Sequence, residues 1–267
     1  MILHTPLGAV GIDESGTGVP VLLLHGFPLD RSLWDPQRAS PAPGFRYLAP
    51  DLPGFGGSVQ QSEPSLDAWA DWTASLLDTL AIDRAVVGGF SMGGYLAMAF
   101  WRRHPHRVRA LVLADTRAGA DSEEARAKRR EMQGLALAEG AGAVAGKMLP
   151  GLVGKSSHAG RPEVVAALDA MMRRASPGAI VDALQALMDR DDSTETLATI
   201  TVPTLIVCGD EDTLTPPAES RSMAAAIPGS RLAIIPGAGH ASNFEAPEVF
   251  NRLLSDFLAA TLPSAQT

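Results

Sequence analysis

The chain has 267 residues, with 22 lysines and arginines against 30 aspartates and glutamates and a formal net charge of −8 at pH 7. That balance, with no basic run longer than Lys128-Arg129-Arg130, argues against nucleic acid as a partner and leaves no basic face for an anionic membrane. Apolar residues make up 46% of the chain, ample for the core of one α/β unit with an insertion, and the single cysteine, Cys208, excludes an internal disulfide.

Ile2–His4 and Ala9–Asp13 read as a hairpin of edge strands turning at Pro6-Leu7-Gly8. The first twenty residues lack a basic start and a long apolar stretch, so no leader peptide is expected and the expected location is cytoplasmic. Val19–Leu24 is apolar enough for a central strand and runs straight into His25-Gly26-Phe27-Pro28. A short helix, interrupted by Pro36, is expected over Ser32–Arg38, and a strand over Phe45–Ala49. Ser65 then caps an amphipathic helix with Leu66, Trp69, Thr73, Leu76, Leu77 and Leu80 on one face. Arg84–Gly88 reads as a buried strand, Tyr95–Trp101 as the helix after it, and Val108–Ala114 as the next strand.

From Arg117 to Thr196 the strand–helix alternation stops. Helices are expected over 122–139, 142–149, 162–174 and 177–190, in a stretch without Phe, Tyr or Trp. Its larger apolar side chains are Leu and Val with Met132, Met148, Met171, Met172 and Met188, and its arginines, Arg117, Arg126, Arg161, Arg173 and Arg174, read mostly as solvated. The alternation resumes with a strand at Thr204–Cys208, a helix from Pro217 to Ile227, a strand at Arg231–Ile235 and a closing helix over Pro247–Ala260. The tail Pro263–Thr267 is expected to fray.

Chemistry enters at Gly89-Phe90-Ser91-Met92-Gly93. Strand, G-x-S-x-G, helix is the setting of a nucleophile elbow, a turn so sharp that only glycine-sized neighbours leave room for the serine. A serine hydroxyl is a poor nucleophile until a base takes its proton. His240, after the last strand in Pro236-Gly237-Ala238-Gly239-His240, is the candidate base. Asp212, in the loop Gly209-Asp210-Glu211-Asp212, is the candidate carboxylate behind it; Asp210 and Asp115 are the rivals. Acyl transfer builds charge on a carbonyl oxygen, and the backbone N–H groups of Phe27 and Met92 are the candidate oxyanion donors, since Pro28 has none to give. No His, Cys, Asp or Glu cluster has metal-ligand spacing, so neither metal nor cofactor is expected.

In these pieces, together with Asp51-Leu52-Pro53-Gly54-Phe55-Gly56-Gly57-Ser58 and Glu245-Ala246-Pro247, the chain resembles the α/β-hydrolase superfamily over nearly its whole length. The resemblance implies a mostly parallel eight-stranded sheet flanked by helices, with residues 1–116 and 197–267 as the core and 117–196 as a helical lid inserted after the sixth strand. It implies structural roles for His25, for the Asp51–Ser58 loop and for Glu245, and leaves Trp34 between pocket and core. The implied activity is hydrolysis of a carboxylic ester through an acyl-enzyme, the partner being a small-molecule ester or lactone, and the absence of Phe, Tyr and Trp from residues 117–196 points to small or medium acyl groups. The elbow also looks like that of 3-oxoadipate enol-lactonases, and His25-Gly26-Phe27-Pro28 like that of cofactor-free perhydrolases. Carbon–carbon bond hydrolases and small-molecule receptors of the same fold are further alternatives.

Overall fold

The computed structural model describes residues 1–261, so the tail Pro263–Thr267 lies outside the described residues. Strands β1 (Ile2–Thr5) and β2 (Gly8–Gly16) form the antiparallel hairpin, and Thr5 pairs with Gly8, which closes the turn over Pro6 and Leu7 alone. The remaining strands are β3 (Val19–Leu24), β4 (Phe45–Pro50), β5 (Ala85–Phe90), β6 (Val108–Ala114), β7 (Thr204–Gly209) and β8 (Arg231–Ile235). They join one sheet in the order β1-β2-β4-β3-β5-β6-β7-β8, parallel from β4 onward. This is the mostly parallel eight-stranded sheet expected from the sequence.

Alternation along the central strands divides the core between two faces. Leu22, Leu24 and Val87 join the cluster on one side, Val21, Leu23 and Val86 the cluster on the other, all fully buried. Because both faces are covered, β3 and β5 read as continuous apolar runs. Helix α1 (Asp35–Arg38) follows a single 3₁₀ turn at Arg31–Trp34, and Pro36 sits in its first turn, where the missing N–H is no loss. Helix α2 (Leu66–Thr79) is capped as expected, with Ser65 Oγ accepting the Ala68 N–H at 3.1 Å. Helix α3 (Met92–Arg103) packs against α2 on one face of the sheet.

Between β6 and β7 the chain forms α4 (Glu123–Glu139), α5 (Ala141–Leu152), α6 (Lys155–Gly160), α7 (Pro162–Met172), α8 (Pro177–Met188) and α9 (Thr194–Leu197). Two differences from the expectation stand out. Helix α5 runs on past Pro150, which lies two residues from its end and removes a single ladder bond. The short α6 and α9 carry no periodic apolar pattern and could not be read from spacing. Helix α10 (Pro217–Ala226), the one-turn α11 (Ser242–Glu245) and α12 (Pro247–Thr261) complete the structure.

The turn from β5 into α3 positions the site. Ser91 has φ 52° and ψ −113°, a backbone conformation that L side chains rarely adopt. It is held there by its neighbours. The Ser91 N–H donates to the Ala114 carbonyl at 2.9 Å, and Thr116 Oγ1 donates to the Ser91 carbonyl at 2.9 Å. A Cβ at Gly89 would stand 2.0 Å from the Gly93 carbonyl oxygen, and one at Gly93 would stand 2.2 Å from the Leu24 carbonyl oxygen. In both cases the clash is with backbone, so no rotamer change relieves it. Gly93→Ala is therefore expected at the upper end of overpacking costs, about 3 kcal/mol, which lowers the melting temperature by roughly 6–12 °C. An unchanged thermal transition in that variant would show that β3 and α3 are not in this contact.

Candidate active site

The turn lifts Ser91 to the carboxyl end of the sheet, where the loops after β7 and β8 meet it. Ser91 Oγ lies 2.8 Å from His240 Nε2, and His240 Nδ1 lies 2.8 Å from Asp212 Oδ2. Asp212 accepts only, so the ring proton sits on Nδ1 and Nε2 is left to accept from the serine hydroxyl. The His240 ring is buried and packs on Phe90, centroid to centroid 5.1 Å.

Asp212 is saturated with donors. Its Oδ1 accepts the N–H groups of Leu214 at 2.8 Å and Thr215 at 2.9 Å, while Oδ2 also accepts the Thr215 hydroxyl at 2.7 Å. Burial pushes its carboxyl up, but the His240 ring and the Thr215 bonds outweigh that and hold it below the usual carboxylate range. The rivals are placed elsewhere. Asp210 is exposed and accepts the Gly237 N–H at 2.7 Å. Asp115, fully buried, accepts the Gly209 N–H at 2.9 Å and lies 2.5 Å from Ser242 Oγ. Burial, then the nearby Asp212 charge, drives the Asp115 carboxyl well above the usual range.

His25 has both ring nitrogens engaged away from Ser91. Nε2 accepts the Leu52 N–H at 2.9 Å and Nδ1 lies 2.9 Å from the Gly26 carbonyl, which fixes a neutral tautomer; burial lowers its pKa in agreement. It ties the loop after β3 to the Asp51 loop, where Gly54 and Gly56 have positive φ, 84° and 49°. Trp34 lies in the core against Phe250. The N–H groups of Phe27 and Met92 meet no acceptor among the described residues.

Phe27, Met92, Ser91 and His240 line one cavity of about 170 Å³. Met148, Leu152 and Leu187, from the segment between β6 and β7, supply its apolar wall together with Leu214. Of the five methionines of that segment, Met148 is the one that lines it. Several lining residues were not singled out from the sequence: Tyr95, Arg129 and Thr215, and the leucines Leu152, Leu187 and Leu214. Arg129, from the basic run Lys128-Arg129-Arg130, and Arg117, one of the arginines expected to be mostly solvated, both reach the cavity wall, with α4 packed against α8. A cavity of about 250 Å³ adjoins Tyr95 and Arg190, but it holds no paired nucleophile and base.

Glu245 anchors the His240 loop. Its Oε1 accepts the N–H groups of Gly239 at 3.0 Å and Ala241 at 3.2 Å; its Oε2 accepts Gly154 N–H at 3.0 Å and the Ser157 hydroxyl at 2.5 Å. One buried carboxylate thus joins the β8 loop to the start of α6. Asp115, Cys208 and Asp212 bring three buried ligand-type atoms within 4.8 Å of one another. No helix among the described residues is long and apolar enough to cross a membrane.

The family model described as alpha/beta hydrolase fold matches residues 19–247. A thermophilic esterase from Thermogutta terrifontis, solved with malate bound, is 38% identical with a TM-score of 0.93, covering 98% of each chain. The enol-lactonase from Burkholderia xenovorans is 28% identical with a TM-score of 0.89, over 97% of this chain and 100% of that one. A pimeloyl-[acyl-carrier protein] methyl ester esterase from Aromatoleum aromaticum is 32% identical, over 88% of this chain and 96% of its own length.

The raised pKa of Asp115 has a sign that can be checked. A protonated carboxyl folds without penalty below its unfolded pKa of about 3.9, and the fold loses stability as pH rises from there toward the raised folded value. Asparagine copies the protonated form: its oxygen can accept the Gly209 N–H and its nitrogen can donate to Ser242 Oγ. Asp115→Asn is expected to melt above the wild type at about pH 7–8, with the difference vanishing toward about pH 3. A variant that melts lower than the wild type across the range would mean that Asp115 is ionised in the fold.

Proposed function

This chain belongs to the alpha/beta hydrolase family, and on that premise we propose that it is a serine hydrolase that cleaves small or medium carboxylic esters through an acyl-enzyme. The observation that carries the reading is the line of 2.8 Å contacts from Ser91 Oγ through His240 to Asp212 at the wall of a small cavity.

Ser91 Oγ attacks the ester carbonyl carbon as His240 Nε2 takes its proton, giving a tetrahedral intermediate and an imidazolium. The Phe27 and Met92 N–H groups, which spend no bond on the protein, receive the oxyanion. One such donor is worth about 3–4 kcal/mol of barrier. The intermediate collapses, the C–O bond to the alcohol breaks, and His240 passes its proton to the leaving oxygen. Water then attacks the acyl-enzyme with His240 again as base, and collapse releases the acid and restores Ser91. Asp212 keeps the Nδ1–H tautomer in place and stabilises the imidazolium, with its remaining lone pairs already taken by Leu214 and Thr215.

Residues 117–196 serve as the lid, with Met148, Leu152 and Leu187 over the acyl group. A volume of about 170 Å³ favours short acyl chains, being smaller than the ~300 Å³ at which ordinary small-molecule clefts begin. A lactone is an ester closed on itself, so the same steps open it. The likeness to an enol-lactonase supports testing that class beside open-chain esters.

Steady-state hydrolysis of p-nitrophenyl esters from acetate to laurate tests the reading. Specificity constants are expected to peak at or below hexanoate and to fall roughly tenfold or more at laurate. Ser91→Ala is expected to lose at least about 10³ in kcat, and Asp212→Asn about 10³–10⁴ with its fold intact. Turnover that survives in Ser91→Ala, or that peaks at laurate, contradicts this reading.

A further inference from the structure

Three guanidinium groups converge on one carboxylate at the edge of the Ser91 cavity. Asp121, its side chain fully buried, accepts from Arg190 Nη1 at 2.7 Å, from Arg117 Nη2 at 2.9 Å and from Arg129 Nε in a short contact. Arg190 is the one built into the fold. Its side chain is 3% exposed, it also donates to the carbonyls of Leu187 and Gly119, and its guanidinium carbon lies 4.3 Å from the Tyr95 ring centroid. That one arginine balances the charge of Asp121. Asp192 lies close enough to feel Arg190 as well.

Arg117 and Arg129 are then two cations with no carboxylate of their own. Both line the cavity that holds Ser91 and His240, and no Asp or Glu lines it. Their side chains are 27% and 21% exposed, so each reaches the cavity from a partly dry wall. Nor are their donors used up. Among the described residues Arg117 donates from Nη2 alone and its buried Nε has no partner, while Arg129 donates only from Nε and Nη2. A planar guanidinium with spare N–H groups in a poorly hydrated wall is built to hold a carboxylate. The rest of the molecule repels anions, with a net charge of −8, so this is a local feature and not a general attraction.

We infer that Arg117 and Arg129 form an anion subsite, and that the preferred substrate is an ester or lactone carrying a free carboxylate on its acyl side. The inference rests on the hydrolase reading of Ser91 and names the substrate class of that site.

The test compares monomethyl succinate, glutarate and adipate with their dimethyl esters, the single difference in each pair being a carboxylate against a neutral ester. The specificity constant is expected to favour the monoanion by roughly tenfold or more for at least one spacer in the wild type. That ratio should collapse toward unity in Arg129→Gln and Arg117→Gln and recover in part in Arg129→Lys. Taking the ratio within each protein cancels any general loss from altered packing around Asp121. Calorimetric titration of the wild type with glutarate, against the neutral glutaramide, reads the subsite without turnover. Ser91-dependent hydrolysis of the dimethyl esters with no monoanion preference, and no glutarate binding, overturns the subsite and leaves the hydrolase reading standing. Glutarate binding that needs both arginines, without hydrolysis of any ester, keeps the subsite and overturns the hydrolase reading.

Discussion

The site depends on how closely the backbone of α3 approaches the end of β3. Gly93 stands so near the carbonyls of Leu24 and His25 that no side chain fits between them, and Gly89 and Gly93 meet each other just as closely. That contact forces the chain to turn within one residue, and Ser91 takes the positive φ that results. Three consequences follow together. The hydroxyl stands at the carboxyl end of the sheet, the Met92 N–H lies at the free end of a helix, and Phe27, on the loop that continues β3, lines the same cavity as Met92. The strain is tolerable because parallel strands buried on both faces hold the ends of the turn in place.

The electrostatics behind the serine separate two carboxyls that share one buried neighbourhood. Asp212 accepts from Leu214, Thr215 and His240, and its carboxyl is held below the usual range; Asp115 accepts fewer bonds, faces the Asp212 charge, and its carboxyl is driven well above that range. One negative charge behind the imidazole is what a developing imidazolium requires. A second ionised carboxyl there would cost desolvation without a partner. Glu245 performs the mechanical counterpart, holding the loop that carries His240 against the start of α6 with four accepted bonds. The position of the His240 loop and that of the start of α6 are therefore coupled through one side chain.

Much of this was legible in the sequence because the signals are local. Mostly apolar runs of five or six residues pointed to β3, β5 and β7, Ser65 to the start of α2, and G-x-S-x-G to the elbow, since each rests on chemistry within a few residues. The order of the loops also pointed to Asp212 and His240, but spacing alone could not separate Asp212 from Asp210 or Asp115. That choice depends on which carboxylate the β8 loop meets in space. The arginines show the limit most clearly. Nothing local marks Arg129 within Lys128-Arg129-Arg130, and the packing of α4 on α8 brings it to Asp121 and the cavity. Likewise, nothing local distinguishes Met148 from Met132, because lining the cavity depends on how α5 sits over Ser91.

The central claim is that Ser91 is a nucleophile activated by His240. It is tested most directly by intact-mass measurement after exposure to a small p-nitrophenyl alkylphosphonate, which traps an activated serine as a stable adduct. One adduct per chain is expected, located on Ser91 by peptide mapping, absent in Ser91→Ala and formed at least about 10³-fold more slowly in His240→Ala. A wild-type protein that stays unmodified, or an adduct that forms equally fast without His240, would contradict it.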